Sequence, residues 1–275
     1  MTTVVGTGYT GARLLRAHAS LRGISRSVPD GVDAGRITVV DLDEVSASIP
    51  GDDTLIYTVP PGGASGDARL AGLLSSLDAT PARIVYISTT GVYGNRDGEC
   101  VLETDPVNPQ TQRAGRRVAA ETLLTDYAVA NNTTLVILRV PGIYGPGRIG
   151  LDRIRAGEPI LRDDQANPGN RIHVDDLAAV CLRAADTDVP AGIYNVGDGD
   201  HRSSSWFTAE TARQAKLPAP PEIDRDEASR VFSPMRLSFL NESRRIDTTR
   251  LRDTMGFTPR YADATDGIRA SLTES

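Results

Sequence analysis

The chain is almost without lysine: among its 30 basic residues Lys216 is the only one, and every other is arginine. The bias reads as genome composition, yet it confines any chemistry that needs an ε-amino group to one position in 275. Cysteine is also scarce. Cys100 and Cys181 lie far apart and form no CxxC, and His18, His173 and His201 are scattered without ligand spacing. Neither a disulfide framework nor a metal site follows from such a set. No run approaches the roughly 18 uninterrupted apolar residues of a membrane span, and the first residues lack the charged segment and apolar core of a signal peptide. No membrane partner and a cytoplasmic location are therefore expected. Nor is positive charge in excess, since the formal net charge is −6. That balance argues against nucleic acid as a partner. The 39% hydrophobic content suffices for one large α/β domain, alone or with a small lobe.

What is present begins at the first residue. MTTVVGTGYTG places a β-branched strand, Thr2 to Val5, directly before Gly6, Gly8 and Gly11, and a plausible helix continues from Ala12. On a strand-to-helix turn Gly6 allows the tight bend, Gly8 lets backbone amides approach a pyrophosphate, and Gly11 permits close helix–strand packing. Thr7, Tyr9 and Thr10 complete the loop. Twenty residues after Gly6, where NAD binders carry an acid for the ribose 2′-hydroxyl, stands Arg26, flanked by Ser25 and Ser27. A guanidinium there suits the 2′-phosphate of NADP, so NADP is expected over NAD. The bland alternative is that Arg26 ends an exposed strand.

Apolar, β-rich runs then recur between helical stretches, at 37–40, 54–59, 83–88, 135–140 and 192–196. Runs apolar on both faces indicate a buried parallel sheet, and right-handed crossovers make it doubly wound, with ligands at the carboxyl ends of the strands. The loops expected to line that crevice contain Asp41 and Leu42, Thr58 to Gly63, Ser88 to Gly94, and Pro141 to Arg148. Helices are expected from Gln112 to about Ala130 and from Asp175 to Ala185. From His201 on, helices alternate with proline-rich connectors, which reads as a small C-terminal lobe over the crevice.

Together the glycine loop, Ile87 to Gly94, Leu138 to Arg148, Arg171 to Ala178 and Ile193 to Gly197 resemble the extended short-chain dehydrogenases/reductases, the NAD-dependent epimerase/dehydratase family. The resemblance implies a Rossmann domain over 1–146 and 172–197, and a substrate lobe over 147–171 and 198–275. It implies an oxidoreductase, epimerase or dehydratase acting on a small carbonyl, hydroxy or sugar-nucleotide substrate. It makes Thr89 the hydroxyl that bonds the reacting oxygen, places Pro141, Gly142 and Ile143 near the nicotinamide, and suggests that helices flanking the fifth strand could pair in a homodimer.

The chain departs from the family at its acid/base pair, a tyrosine followed four residues later by lysine. Aligned on Glu121, Arg113 stands at the tyrosine position and Arg117 at the lysine position. The match is to an atypical subgroup without the pair. Arginine stays protonated at neutral pH and cannot exchange that proton. Arg117 could still bond the ribose and Arg113 clamp a substrate anion, or both could lie on a solvated helix face. Other proton donors in the crevice loops are Tyr144, Tyr93 and His173, with Tyr93 better suited to packing and His173 to capping. Thr90, Arg148 and Arg171 complete the expected substrate-binding set with Arg113 and His173. Asp175 and Asp176, adjacent at a helix start, fit N-terminal stabilisation better than a metal. Two functions remain open: an NADP-dependent oxidoreductase, or a non-catalytic NADP(H) sensor.

Overall fold

The computed structural model describes residues 1–45, 48–49, 51–62 and 67–274, so Gly63, the end of one expected crevice loop, lies outside the described residues. The strands are β1 (Thr2–Val5), β2 (Arg22–Ser25), β3 (Ile37–Val39), β4 (Thr54–Tyr57), β5 (Arg83–Thr89), β6 (Cys100–Val101) and β7 (Thr134–Val140), followed by β8 (Gly142–Tyr144), β9 (Ile160–Leu161), β10 (Arg171–His173), β11 (Gly192–Asn195), β12 (Glu222–Ile223) and β13 (Arg245–Ile246). The helices are α1 (Tyr9–Ala17), α2 (Ala68–Ser76), α3 (Gln112–Asn131), α4 (Leu151–Arg155) and α5 (Val174–Ala185), then α6 (Ser204–Gln214), α7 (Arg225–Val231), α8 (Pro234–Leu240), α9 (Thr249–Asp253) and α10 (Ala264–Thr273).

Seven parallel strands form the central sheet in the order β11-β7-β5-β4-β1-β2-β3. The alternation of buried side chains along each strand supplies two cores. Val4, Ile56, Val85 and Ile87 pack with Leu14 and Leu15 of α1 and with Leu177, Ala178 and Val180 of α5. Val5, Leu55, Tyr57, Ile84 and Tyr86 pack on the other face with Leu70, Leu73 and Leu74 of α2 and with Ala120 and Leu124 of α3. Both faces are covered, as continuous apolar strands require. The doubly wound α/β sheet is therefore as expected. Among the described residues no helix is long and apolar enough to cross a membrane.

Two local differences bear on function. Helix α1 starts at Tyr9, three residues before the expected Ala12, so Gly11 lies inside its first turn. A Cβ on Gly11 would come within 1.9 Å of the Gly6 carbonyl oxygen, which only glycine avoids. The loop after β7 is not irregular: Gly142–Tyr144 forms β8 and pairs in parallel with β10.

The tail does contain a separate small core of Leu161, Ile223, Ala228 and Phe232. It is interrupted, however. β13 pairs with β6, and Leu251 and Met255 enter the main core beside Tyr194.

Candidate functional site

At the carboxyl ends of β1 to β4 lies a cavity of 340 Å³. Its floor is the glycine loop. Gly6 has φ +90°, a left-handed conformation suited to glycine, and its amide donates to Ile24 O at 2.8 Å. Thr58 Oγ1 donates to the carbonyls of Val5 and Gly6, both at 3.0 Å, locking β4 to the loop. The Thr7 and Ser25 hydroxyls hydrogen-bond each other across the loop and β2. Helix α1 begins after Gly8 with no side chain capping it. A helix's first amides have no partner within the helix, so those of Tyr9, Thr10 and Gly11 face outward with the positive end of the dipole. A Cβ on Gly8 would meet no protein atom within 4 Å; it would instead occupy the space in front of those amides. An uncapped helix start behind a glycine loop is a ready anion site.

Gly6, Thr7, Gly8, Arg26, Ser27, Asp41, Leu42, Thr58, Val59 and Pro60 all line this cavity. Thr10 and Gly11 do not, because their side positions are buried against the sheet. Tyr9 turns away as well: its hydroxyl donates to Pro146 O at 2.9 Å, and the exposed Arg148 lies 4.1 Å over its ring. The two pin α1 to the loop after β8. Burial raises the Tyr9 hydroxyl to about 12.

The sequence reading missed Asp43 and Arg69, which also line the cavity. They form a two-point ion pair, Nε to Oδ1 at 2.5 Å and Nη2 to Oδ2 at 2.7 Å, and Arg69 holds the Asp43 carboxyl below its usual range. Arg26, in contrast, makes no hydrogen bond or ion pair among the described residues. It is a rim cation held by no hydrogen bond among those residues, with its charge felt by the Asp43 carboxylate.

A second cleft, of 660 Å³, opens at the ends of β5 and β7. Thr89, Thr90, Arg113, Pro141 and Gly142 line it, together with lobe residues that spacing gave no means to find: Arg153, Arg236 and Phe239 among them. Arg244 also lines it and is bound to Glu242 at 2.9 Å. Thr89 ends β5, and its Oγ1 accepts from Gly91 N at 3.2 Å. Helix α3 delivers Arg113 beside it, starting from Thr111, whose Oγ1 accepts from Ala114 N at 3.2 Å. Arg113 lies 5.0 Å over the ring of Phe239.

Glu121 fixes that helix. Its carboxylate takes a hydrogen bond from Ser88, next to Thr89, and an ion pair from Arg139 Nη2 at 2.8 Å, with all three side chains buried.

Five expectations need correction. Tyr144 is 4% exposed, wedged edge-on between His173 and Phe207, and burial pushes its hydroxyl far above the normal range. It cannot serve the cleft as an acid. His173, 1% exposed, caps α5 by accepting from Asp175 N at 3.2 Å, and burial lowers its basicity. Arg171 is buried, with Nη2 donating to Ser203 O at 3.1 Å, rather than lining the cleft. Arg117 points back at the strand, donating to Ile87 O at 2.5 Å and Tyr86 Oη at 3.2 Å. Ile143 packs against the main core instead of facing either cavity. Tyr93 is buried as expected, donating to Asn195 Oδ1 at 2.7 Å.

Asp198 sits near Arg171 and Tyr144 with its Oδ2 unpartnered, and burial pushes its carboxyl up to about 8. Unfolded aspartate titrates near 3.9, so the folded protein holds a proton that the unfolded chain releases between about pH 4 and 8. The stability this proton confers is full below that window and lost as pH rises through it. Melting temperature is expected to fall from pH 5 to 8, and Asp198→Asn to flatten the slope.

Comparison with known proteins agrees with this architecture. Residues 64–197 match the NAD dependent epimerase/dehydratase family. The match spans just under half of the chain and identifies that segment as belonging to the family. It is 30% identical to a functionally unknown protein from Silicibacter pomeroyi DSS whose structure superposes with a TM-score of 0.81, covering 99% of this chain and 98% of that one. Protein YeeZ of Escherichia coli K12 is 28% identical, with 94% and 96% covered. The dTDP-6-deoxy-L-talose 4-dehydrogenase (NAD(P)(+)) of Kitasatospora kifunensis is also 28% identical, with 93% and 89% covered.

Proposed function

We propose that the protein is an NADP(H)-dependent oxidoreductase of the epimerase/dehydratase type that acts on a small carbonyl, hydroxy or sugar-nucleotide substrate. The observation carrying this reading is the placement of the two cavities along one sheet edge, the first ending in Arg26 and the second in Thr89. The groups of the first cavity fit a phosphorylated dinucleotide. The amides of Tyr9, Thr10 and Gly11 would take the pyrophosphate, Asp41 and Leu42 the adenine end, and Arg26, Ser25 and Ser27 the 2′-phosphate. When bound, NADP(H) supplies or accepts a hydride.

The chain's own residues prepare the other half. The Thr89 hydroxyl accepts from Gly91 N and keeps its own proton to donate to a substrate in the second cleft. Pro141 and Gly142 line the same cleft, whose lobe wall includes Phe232 and Leu161 of the small core. On this reading the lobe comprises 147–171 and 198–275, less the segment near 245–257 that packs on the main core. Among the described residues the cleft lining includes no tyrosine, histidine, lysine or aspartate, and its one carboxylate, Glu242, is paired with Arg244, so a proton would pass through the Thr89 hydroxyl or water. That same lack favours the second reading, a non-catalytic NADP(H) sensor.

Titration with NADPH and NADH tests the cofactor. NADPH is expected to bind tighter, and Arg26→Ala to weaken it about 10–100-fold while leaving NADH unchanged, the loss of one or two charge-assisted bonds. Arg69→Ala should cost less, because Arg69 is already engaged by Asp43. Equal binding of the two coenzymes by the unmodified protein would refute the NADP assignment. Tight NADPH binding without turnover of carbonyl or sugar-nucleotide compounds would favour the sensor.

A further inference from the structure

We infer that the second cleft takes a small acid with two anionic ends, one held by Arg113 beside Thr89 and the other by Arg153 and Arg236, rather than a sugar nucleotide. This rests on the oxidoreductase reading and narrows its substrate class.

The charge of the cleft is the first argument. Its lining carries four guanidiniums, Arg113, Arg153, Arg236 and Arg244, and one carboxylate, Glu242. Arg244 consumes that carboxylate at 2.9 Å. Arg113 and Arg153 make no ion pair among the described residues, and Arg236 donates through Nη2 to Pro159 O at 2.7 Å and has its nearest carboxylate, the half-exposed Glu158, 3.7 Å from Nη1. Burial and the neighbouring Arg153 both disfavour the charged form of Arg236, so an anion between the two would be held by both. Arginine's planar fork matches a carboxylate or phosphate through two parallel bonds.

The second argument is position. Arg113 comes from α3 of the main domain, next to the Thr111 cap, while Arg153 and Arg236 come from α4 and α8 of the lobe. An anion at each pole would bridge the two walls, with the reacting carbon near Thr89.

The third concerns aromatics. Among the described residues the rings lining the cleft are Phe232 and Phe239. Arg236 lies 3.5 Å over a face of the first and Arg113 5.0 Å over a face of the second. A ring face stacked on a guanidinium is not offered to a base, and the Arg113 edge makes no hydrogen bond among the described residues, whereas Arg236 Nη2 donates to Pro159 O at 2.7 Å. The two cations are thereby braced toward an oxyanion.

Calorimetry with α,ω-dicarboxylates from malonate to adipate, with butyrate and with UDP-glucose, each with and without saturating NADPH, tests this. One dicarboxylate length should bind at least about tenfold tighter than butyrate or UDP-glucose, from the second charge-assisted contact. Arg113→Gln and Arg153→Gln should each erase that margin, Arg113→Lys should restore part of it, and NADPH affinity should stay unchanged in all three. Tighter binding of UDP-glucose than of every dicarboxylate, no dicarboxylate binding, or dicarboxylate binding in the two glutamine variants as tight as in the unmodified protein overturns the inference. Dicarboxylate binding without NADPH binding would leave the anion site standing and remove the oxidoreductase reading; the reverse pattern would do the opposite.

Discussion

Glu121→Ala is expected to destabilise the protein by about 3–5 kcal/mol, the usual consequence of leaving a buried cation unpaired. Arg139 is only 5% exposed and its Nη1 has no partner even with Glu121 present, so water cannot easily replace the lost carboxylate. Its remaining support comes from Tyr93, through the ring at 4.8 Å and a side-chain hydrogen bond. For a chain of this size the loss corresponds to a fall in melting temperature of roughly 10 °C. Glu121→Gln should cost less, because an amide oxygen can still accept from Ser88 and Arg139. Thermal unfolding of the two variants separates charge from hydrogen bonding. If both melt with the unmodified protein, the ion pair does not hold α3 to the sheet. The functional link is short: Ser88 precedes Thr89, and α3 carries Arg113, so a loosened Glu121 frees both sides of the second cleft.

Much of this architecture was legible because it depends on local pattern. Gly6 and Gly11 lie on a strand-to-helix turn that has no room for a side chain at either position, and short apolar runs rich in β-branched residues, such as Arg83 to Ser88, read as buried strands of a parallel sheet. The dinucleotide cavity draws mainly on residues at strand ends, which spacing locates. The second cleft does not. Arg153, Arg236 and Phe239 reach it from helices whose packing depends on long-range contacts, and nothing in their neighbourhoods sets them apart from other arginines and phenylalanines. Conversely Tyr144 and His173 looked exposed because they follow strands, yet β8 and β10 pair and tuck both inward. Arg117 illustrates a third limit. Alignment fixes its turn of helix α3, but Tyr86 and the Ile87 carbonyl decide where its side chain points.

Thr89→Val should lower turnover of whatever substrate is found by about 10²–10³, the typical cost of removing one donor to a developing oxyanion. Valine keeps the shape and the β-branched preference of β5 while deleting the hydroxyl. NADPH affinity should not change, since Thr89 lines the second cleft and not the first. The loss should fall on kcat more than on KM, because the bond strengthens as negative charge grows on the substrate oxygen. Thr89→Ser provides the control: it restores the donor and the bond from Gly91 N, so most of the rate should return. Among the described residues the cleft's one carboxylate, Glu242, is tied to Arg244, which leaves the Thr89 hydroxyl as the group best placed to polarise the substrate. Full turnover in the valine variant would remove Thr89 from the chemistry and point to backbone amides or Arg113 as the stabilising charge.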